Sequence, residues 1–540
     1  MNQNNKIIIL LPIIIAITFV GGIFVGKLFT ETDELSSGQQ KLNEILALVD
    51  KKYVDIINVD SIIEKSIPDI LSKLDPHTTY IPAKDLATTN SELQGSFGGV
   101  GVSFSLMTDT ITVLEVISGG PSERMGILAG DRIIEINGEN VAGVGLTNED
   151  VFSKLRGEKG TNVKLGIKRN NTSKILYFEV TRGDIPITSV NAAYMATPEI
   201  GYINVTNFSS KTYEEFLISL IKLRNQGAQS YIIDLRGNGG GFMEMAVLMA
   251  NEFLPYGVNI VNTIGREEEQ NSAIFSDGTG SFQENQVVIL IDEYSASASE
   301  ILAGAMQDHD RGLVIGRRSF GKGLVQNQIM LSDSSAIRLT VARYYTPSGR
   351  CIQKEYKPGK TNDYNNDILE RYNHGEAFVA DSIKLNTDQK YYTTHGRAVY
   401  GGGGIMPDLF IPNDTSGITT YYINVMNAGL IQKFAFEYCD LNREDLNKSD
   451  STSELLRKLP SDDILLQSFV NYATQSGINA RWYYIGISRN LLLYQLKALI
   501  ARDILGTGAY YEVYNNYDVT VKAAIKALQN GDADYPIIVQ

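Results

Sequence analysis

The segment Gln286–Gln326, QVVILIDEYSASASEILAGAMQDHDRGLVIGRRSFGKGLVQ, restricts the possible folds of this chain more than any other. An apolar run, Val287–Ile291, ends at Asp292-Glu293-Tyr294, and a Ser/Ala cluster then leads into the helical pattern Glu300–Gln307. A second apolar run, Leu313–Gly316, is followed by Ser319-Phe320-Gly321-Lys322-Gly323 and the strand pattern Leu324–Leu331. Strand, turn, helix and strand in close succession predict α/β architecture. A serine at a sharp strand-to-helix turn has its hydroxyl presented beside a helix N-terminus. A lysine held between two glycines just before a strand is an unusual place for a solvated charge. Serine and lysine so arranged point to a Ser-Lys hydrolase.

The chain has 540 residues, enough for several domains. Its formal net charge of -14, with no basic tract, excludes nucleic acid as a main partner. Cys351 and Cys439 are the only cysteines, too few for a disulfide framework or a zinc cluster, although one bridge remains open. No metal or organic cofactor is implied. Ile7–Gly26 carries no charge, is flanked by Lys6 and Lys27, and its 20 residues just span a bilayer core as a helix. It is long for a signal peptide, and neither an A-x-A site nor a lipobox cysteine follows. Residues 1–28 are therefore expected to be an uncleaved anchor, with a cleaved signal as the alternative. Either way the rest is exported, facing the periplasm or cell exterior; Glu31, Asp33 and Glu34 favour that direction.

Residues 35–93 carry helical periodicity through Leu42, Ile45, Leu46, Val49, Ile62, Ile63, Ile67, Ile70 and Leu71, broken at Leu74-Asp75-Pro76-His77-Thr78-Thr79-Tyr80. His77, beside a proline in a turn, is assigned a structural role. Residues 94–184 differ. Gly98-Gly99-Val100-Gly101 leads into a strand, Val102–Leu106; a second strand is Ile111–Val116, and GGPSERMGILAGDRIIEINGENV follows over Gly119–Val141. A short helix at Pro121–Met125, a tight turn at Ala129-Gly130-Asp131, a strand at Arg132–Ile136 and a hairpin turn at Asn137-Gly138 make this segment resemble a PDZ domain. Such domains add an extended peptide as a strand and hold its terminal carboxylate on backbone N–H groups. That resemblance gives Gly98, Gly99, Val100 and Gly101 the carboxylate loop, with Val102 and Phe104 lining an apolar pocket. The plainer alternative is that the glycines only make a turn.

Residues 185–415 read as an α/β core. The strand Ser230–Leu235 runs into Asp234-Leu235-Arg236-Gly237-Asn238-Gly239-Gly240-Gly241, followed by the helical pattern Met243–Leu254. The run lacks the Gly-Lys-Ser/Thr ending of a P-loop, so an oxyanion-binding turn is the better reading. A polar, Tyr/Asn/Asp-rich stretch over 354–400 reads as an irregular excursion before Gly401–Gly404. Residues 416–540 are mostly helical, at Leu455–Leu459, Ile464–Tyr472, Leu491–Leu505 and Val521–Leu528, without evident chemistry. Packing or assembly is their default role, and a homo-oligomer is compatible with it.

Ser295, Ser297 and Ser299 compete for the nucleophile; position alone favours one at the turn or first helical residue. A serine hydroxyl needs a base. Lys322 serves only when neutral, which requires its pKa to fall from ~10.4 to roughly 7–8, a cost of about 3–4 kcal/mol that burial can supply. In a strand Lys322, Leu324 and Gln326 share a face, and a glutamine orients an amine without adding charge. A Ser-His reading would need His309, which sits in the surface-like cluster Gln307-Asp308-His309-Asp310.

From Leu74 to Asp408 the chain resembles the carboxy-terminal processing, or tail-specific, proteases. The matching pieces in order are LDPHTTY, the PDZ-like segment, DLRGNGGG, SASASEILAGAMQD, SFGKGLVQ, YYTPSGR and GGGGIMPD. The resemblance implies a crotonase/Clp-protease-like α/β core with an inserted PDZ domain. It also implies an exported serine endopeptidase acting on proteins with free, unstructured C-terminal tails. Residue by residue, it implies Ser297 as nucleophile, Lys322 as base, Gln326 as its support, and the N–H groups of Ala298 and Gly241 as oxyanion hole. The alternatives are a crotonase-like acyl-transfer enzyme and a non-catalytic PDZ scaffold.

Overall fold

The computed structural model describes residues 36–531 apart from Thr108 and Asn171. The expected anchor over 1–28 lies outside them, and among the described residues no helix is long and apolar enough to cross a membrane. The chain divides into two compact units, Met1–Ile70 and Leu71–Gln540. In the first, one helical pattern resolves into two helices, Ser37–Lys52 and Val59–Leu71. Ser36 and Gln39 form a capping box that starts the former. Its apolar residues Leu42, Ile45 and Leu48 remain exposed.

The core of the second unit is a six-stranded sheet in the order Val190–Met195, Ile200–Val205, Ser230–Asp234, Gln286–Ile291, Leu313–Gly316 and Leu409–Phe410, parallel except for the first strand. Its central strands read as continuous apolar runs because both faces are covered. Helices Thr212–Asn225, Met243–Asn251 and Ala298–Asp308 pack on one face through Leu220, Met249 and Leu302. The other face meets Val521, Ala524 and Leu528 of the last helix, Val519–Asn530, so by packing this helix belongs to the sheet. An antiparallel sheet holds Leu324–Met330 against Ala336–Tyr345, with Thr79–Ile81 on the same partner.

The inserted domain enters by Ser96–Gly99 and leaves by Gly183–Pro186, two strands paired antiparallel as a stem. Its own sheet runs Val102–Met107, Thr110–Val116, Arg132–Ile136, Asn162–Lys168, Leu176–Thr181, leaving Val102–Met107 at an edge. Asn137 (φ 52) and Gly138 (φ 84) make the expected hairpin turn.

The glycine run is divided between the stem and the turn that follows it. Gly98 and Gly99 are ladder residues of the stem, and a Cβ on Gly98 would lie 2.2 Å from the Gly157 carbonyl oxygen. Glycine there serves backbone packing, and only Val100-Gly101 form the turn before the edge strand.

The stretch 354–400 is also more ordered than expected. It contains the helix Thr361–Asn373, anchored by buried Tyr364 and Arg371, and a two-stranded ladder, Lys390–Tyr392 with Ala398–Tyr400. Its polar surface hid these few long-range anchors. Cys351 and Cys439 are both free, which closes the disulfide option. Residues beyond 416 form helices Thr420–Asn427, Leu430–Leu446, Thr452–Lys458, Asp462–Gln475, Trp482–Leu505 and Thr507–Tyr514, around a core that includes Phe434, Phe469 and Leu496.

Candidate active site

The strand Gln286–Ile291 leads to a turn fastened to the glycine loop that follows the neighbouring strand. Ser295 Oγ donates to the Leu235 carbonyl at 2.8 Å and accepts from the Asp292 N–H at 2.9 Å. Ser299 Oγ donates to the Asn238 carbonyl at 2.9 Å. Both serines are fully buried with their hydroxyls engaged. Ser297, between them, adopts φ 56, ψ -114, a strained conformation for a residue other than glycine, and opens onto a cleft of about 800 Å³. Of the three competing serines, only Ser297 lines this cleft. His309 does not line it either; its Nε2 pairs with the Asn259 carbonyl.

The cleft also brings together Gly241, Lys322 and Gln326. Gly240 approaches Ser297 so closely that a Cβ would lie 2.7 Å from the Ser297 Cβ and 3.0 Å from the Ala298 nitrogen. Gly240 (φ 98) and Gly241 (φ 145) take backbone conformations that favour glycine. Ala298 is the first residue of its helix, where backbone N–H groups have no partner within the helix.

Lys322 Nζ donates to Gln326 Oε1 at 2.8 Å, and Gln326 Nε2 donates to the His77 carbonyl. Simple alternation does not set this pair: Lys322 precedes the strand Leu324–Met330, and the register slips between Val325 and Gln326. Burial pushes the Lys322 amine below its usual range, and the Arg338 charge adds to this. The carboxylates of Glu300 and Asp75 oppose it. His77 itself is lowered to about 4, chiefly by burial and then by Lys322, so it is neutral; its Nε2 pairs with Tyr364 Oη at 2.8 Å. The structural role expected for His77 is thus specific: its backbone carbonyl holds the glutamine that holds the lysine.

Glu300 is the residue sequence reasoning missed. Fully buried, it accepts from the N–H groups of Ser297 (2.8 Å), Gly321 (2.7 Å) and Lys322 (2.9 Å), and from the Ser319 hydroxyl. One carboxylate therefore joins the serine turn to the lysine loop. A charged residue on the third position of a helix with no exposed side was the available signal. The outer motifs are staples of the same helix. Arg350 pairs with Asp308, both fully buried, at 2.7 Å. Asp408 accepts from Gln307 Nε2 and the Val314 N–H, each at 2.8 Å.

Residues 199–365 match peptidase family S41, residues 112–169 match a PDZ domain, and residues 421–506 match a family of unknown function. The chain is 35% identical over 350 residues to the carboxy-terminal-processing protease of Bartonella bacilliformis, covering 62% of this chain and 80% of that one. It is 32% identical over 329 residues to the carboxy-terminal processing protease CtpB of Bacillus subtilis, covering 60% and 67%. Among solved structures it is similar to a photosystem II D1 C-terminal processing protease, at 28% identity over 59% of this chain and 91% of that one, with a TM-score of 0.33. Given the identity and coverage of the first relative, this chain belongs to the carboxy-terminal processing proteases of peptidase family S41, serine-type hydrolases with a PDZ domain.

Proposed function

We propose that the chain is a Ser-Lys endopeptidase that selects substrates by their free C-terminal tails. The observation that carries this reading is the sharing of one cleft by the strained Ser297 and the half-buried, glutamine-held Lys322. The neutral Lys322 amine takes the Ser297 Oγ proton as that oxygen attacks the scissile carbonyl carbon. Charge developing on the carbonyl oxygen is met by the N–H groups of Ala298 and Gly241. The resulting ammonium returns its proton to the leaving amine nitrogen as the C–N bond breaks, leaving an acyl-serine. Water, deprotonated by the same amine, then releases the new carboxylate.

The PDZ domain supports the tail part of the reading. Its edge strand Val102–Met107 can accept an added strand, with Phe104 packed edge-on against Phe152 at 5.2 Å. Arg156, at the end of the helix Asn148–Leu155, lies over Phe152 and Phe97 at 4.6 and 4.3 Å. Among the described residues its Nε has no hydrogen-bond partner. It is a cation suited to a terminal carboxylate that the sequence reading did not single out. The test is one unstructured peptide offered with a free or an amidated C-terminus. Amidation is expected to weaken capture by roughly 1–3 kcal/mol. Equal rates would overturn tail selection, and absence of any Ser297-dependent cleavage would overturn the whole reading.

We extend the proposal to location, with Ile7–Gly26 as a membrane anchor and the remainder exported, on the length and lack of charge of that run. The intact chain should sediment with membranes, while residues 29–540 stay soluble and cleave at the same rate. A soluble intact chain would refute the anchor.

A further inference from the structure

Residues 421–506 match only a family without assigned function, yet one charged contact ties this helical segment to the PDZ domain. Asp440, on the helix Leu430–Leu446, accepts from Arg132 Nη2 at 2.7 Å, Asn170 Nδ2 at 2.8 Å and Arg443 Nη2 at 3.2 Å. Arg132 and Asn170 belong to the PDZ domain and bond each other at 2.8 Å. The Asp440 side chain is only 7% exposed. The Arg132 guanidinium also lies over the Phe436 ring at 5.6 Å.

Backbone approach is equally close. Gly130 (φ 92) sits where a Cβ would be 3.0 Å from Asp440 Oδ1 and 3.2 Å from Arg443 Nε. The PDZ side of the contact is stiffened from within, because buried Asp131 is gripped by Arg169 through two 2.7 Å bonds. The contact lies on the outer face of the PDZ sheet. Thr112, beside Arg132, points away from the face that buries Ile111 and Val113. Of the edge strand Val102–Met107, only Met107 at its end lines the small cavity beside this contact, with Lys433 and Phe436.

A domain inserted on a two-stranded stem is free to reorient unless something else holds it. We propose that the helical segment is a brace, with Asp440 as its fastening point, that fixes the PDZ domain relative to the catalytic cleft. This rests on the tail-capture reading above. Two sites engaging one substrate chain gain from their linkage in proportion to how well the link positions them. The brace sets that effective concentration. Removing Asp440 leaves Arg132 and Arg443 facing each other without their shared anion, so the contact should open rather than merely weaken.

The test uses the full chain with Asp440→Ala, Gly130→Ala and, as control, Asp463→Ala at an exposed ion pair elsewhere on the helical segment. Two measurements are made: amide hydrogen exchange over residues 126–132 and 436–443, and the ratio of cleavage rates for free-acid and amidated peptides. Asp440→Ala and Gly130→Ala should speed exchange in both segments and remove most of the free-acid advantage, which is about 5- to 150-fold in the intact chain. The amidated peptide should be cleaved as before, and the control should change nothing. Unchanged exchange in both variants overturns the brace. Faster exchange with an unchanged or larger free-acid advantage overturns its role in positioning. A wild-type protein with no free-acid advantage refutes tail capture instead, and the exchange measurement still decides whether the contact holds.

Discussion

Ser297→Ala should lower kcat by on the order of 10⁴–10⁶-fold while the fold is kept, because the residue lines the cleft rather than the core. Lys322→Ala should cost a similar factor, and the double variant no more than either alone, since the two groups act as one unit. Lys322→Arg should be equally inactive, because a guanidinium cannot act as a base at accessible pH. Ser299→Ala should instead reduce stability, removing one of the two hydrogen bonds that the buried Asn238 carbonyl accepts, the other coming from the Ala296 N–H. The assignment fails if Ser297→Ala turns over normally and Ser299→Ala does not. The pH profile carries a second check. Activity requires the neutral amine, so kcat/KM should rise with pH through the Lys322 titration, which burial and then Arg338 depress below 10.5. Arg338→Gln removes one of those influences and should move the rising limb to higher pH. A limb that stays in place, or moves down, contradicts Lys322 as the base.

Glu300→Ala should affect both stability and catalysis. It leaves three backbone N–H groups and the Ser319 hydroxyl without their acceptor in a buried site. A loss of about 3–5 kcal/mol in unfolding free energy is expected, the scale for breaking a buried, hydrogen-bonded charge. Glu300→Gln keeps the shape but turns an NH₂ toward donors. It should fold, yet lose about 10²-fold in kcat as the serine turn and lysine loop separate slightly. Burial raises the Glu300 carboxyl from 4.5 to about 7, with its hydrogen bonds pulling the other way. A carboxyl raised in the folded state favours folding most below the unfolded value, and this contribution is lost as pH rises through the folded value. The stability of the wild type relative to Glu300→Gln should therefore fall between about pH 4.5 and 7. A difference that is flat over that window would show that Glu300 does not titrate there.

Much of the fold was legible because its signals are local. The apolar strands Ser230–Asp234, Gln286–Ile291 and Leu313–Gly316 fell within a residue of expectation, as did the helix Pro121–Met125 and the Asn137-Gly138 turn. Each is written in contiguous residues whose periodicity or backbone preference does not depend on distant partners. The same locality hid the packing demand at Gly98, where a Cβ would lie 2.2 Å from the Gly157 carbonyl oxygen. It also hid the helix Thr361–Asn373, whose polar sequence is ordered by Tyr364 reaching His77, 287 residues earlier.

By itself the sequence determined an α/β core, an inserted PDZ domain, and a serine turn and a lysine loop of the right chemical types, because periodicity, turn chemistry and residue identity are properties of neighbours along the chain. Only the tertiary structure decided which serine faces the cleft, since the hydroxyls of Ser295 and Ser299 are claimed by carbonyls 60 and 61 residues away. It also decided that Lys322 is depressed, that Glu300 joins the two halves of the site, and that Asp440 meets Arg132 across 308 residues. Desolvation and hydrogen-bond capture depend on what surrounds a group in space, and no local pattern carries that information.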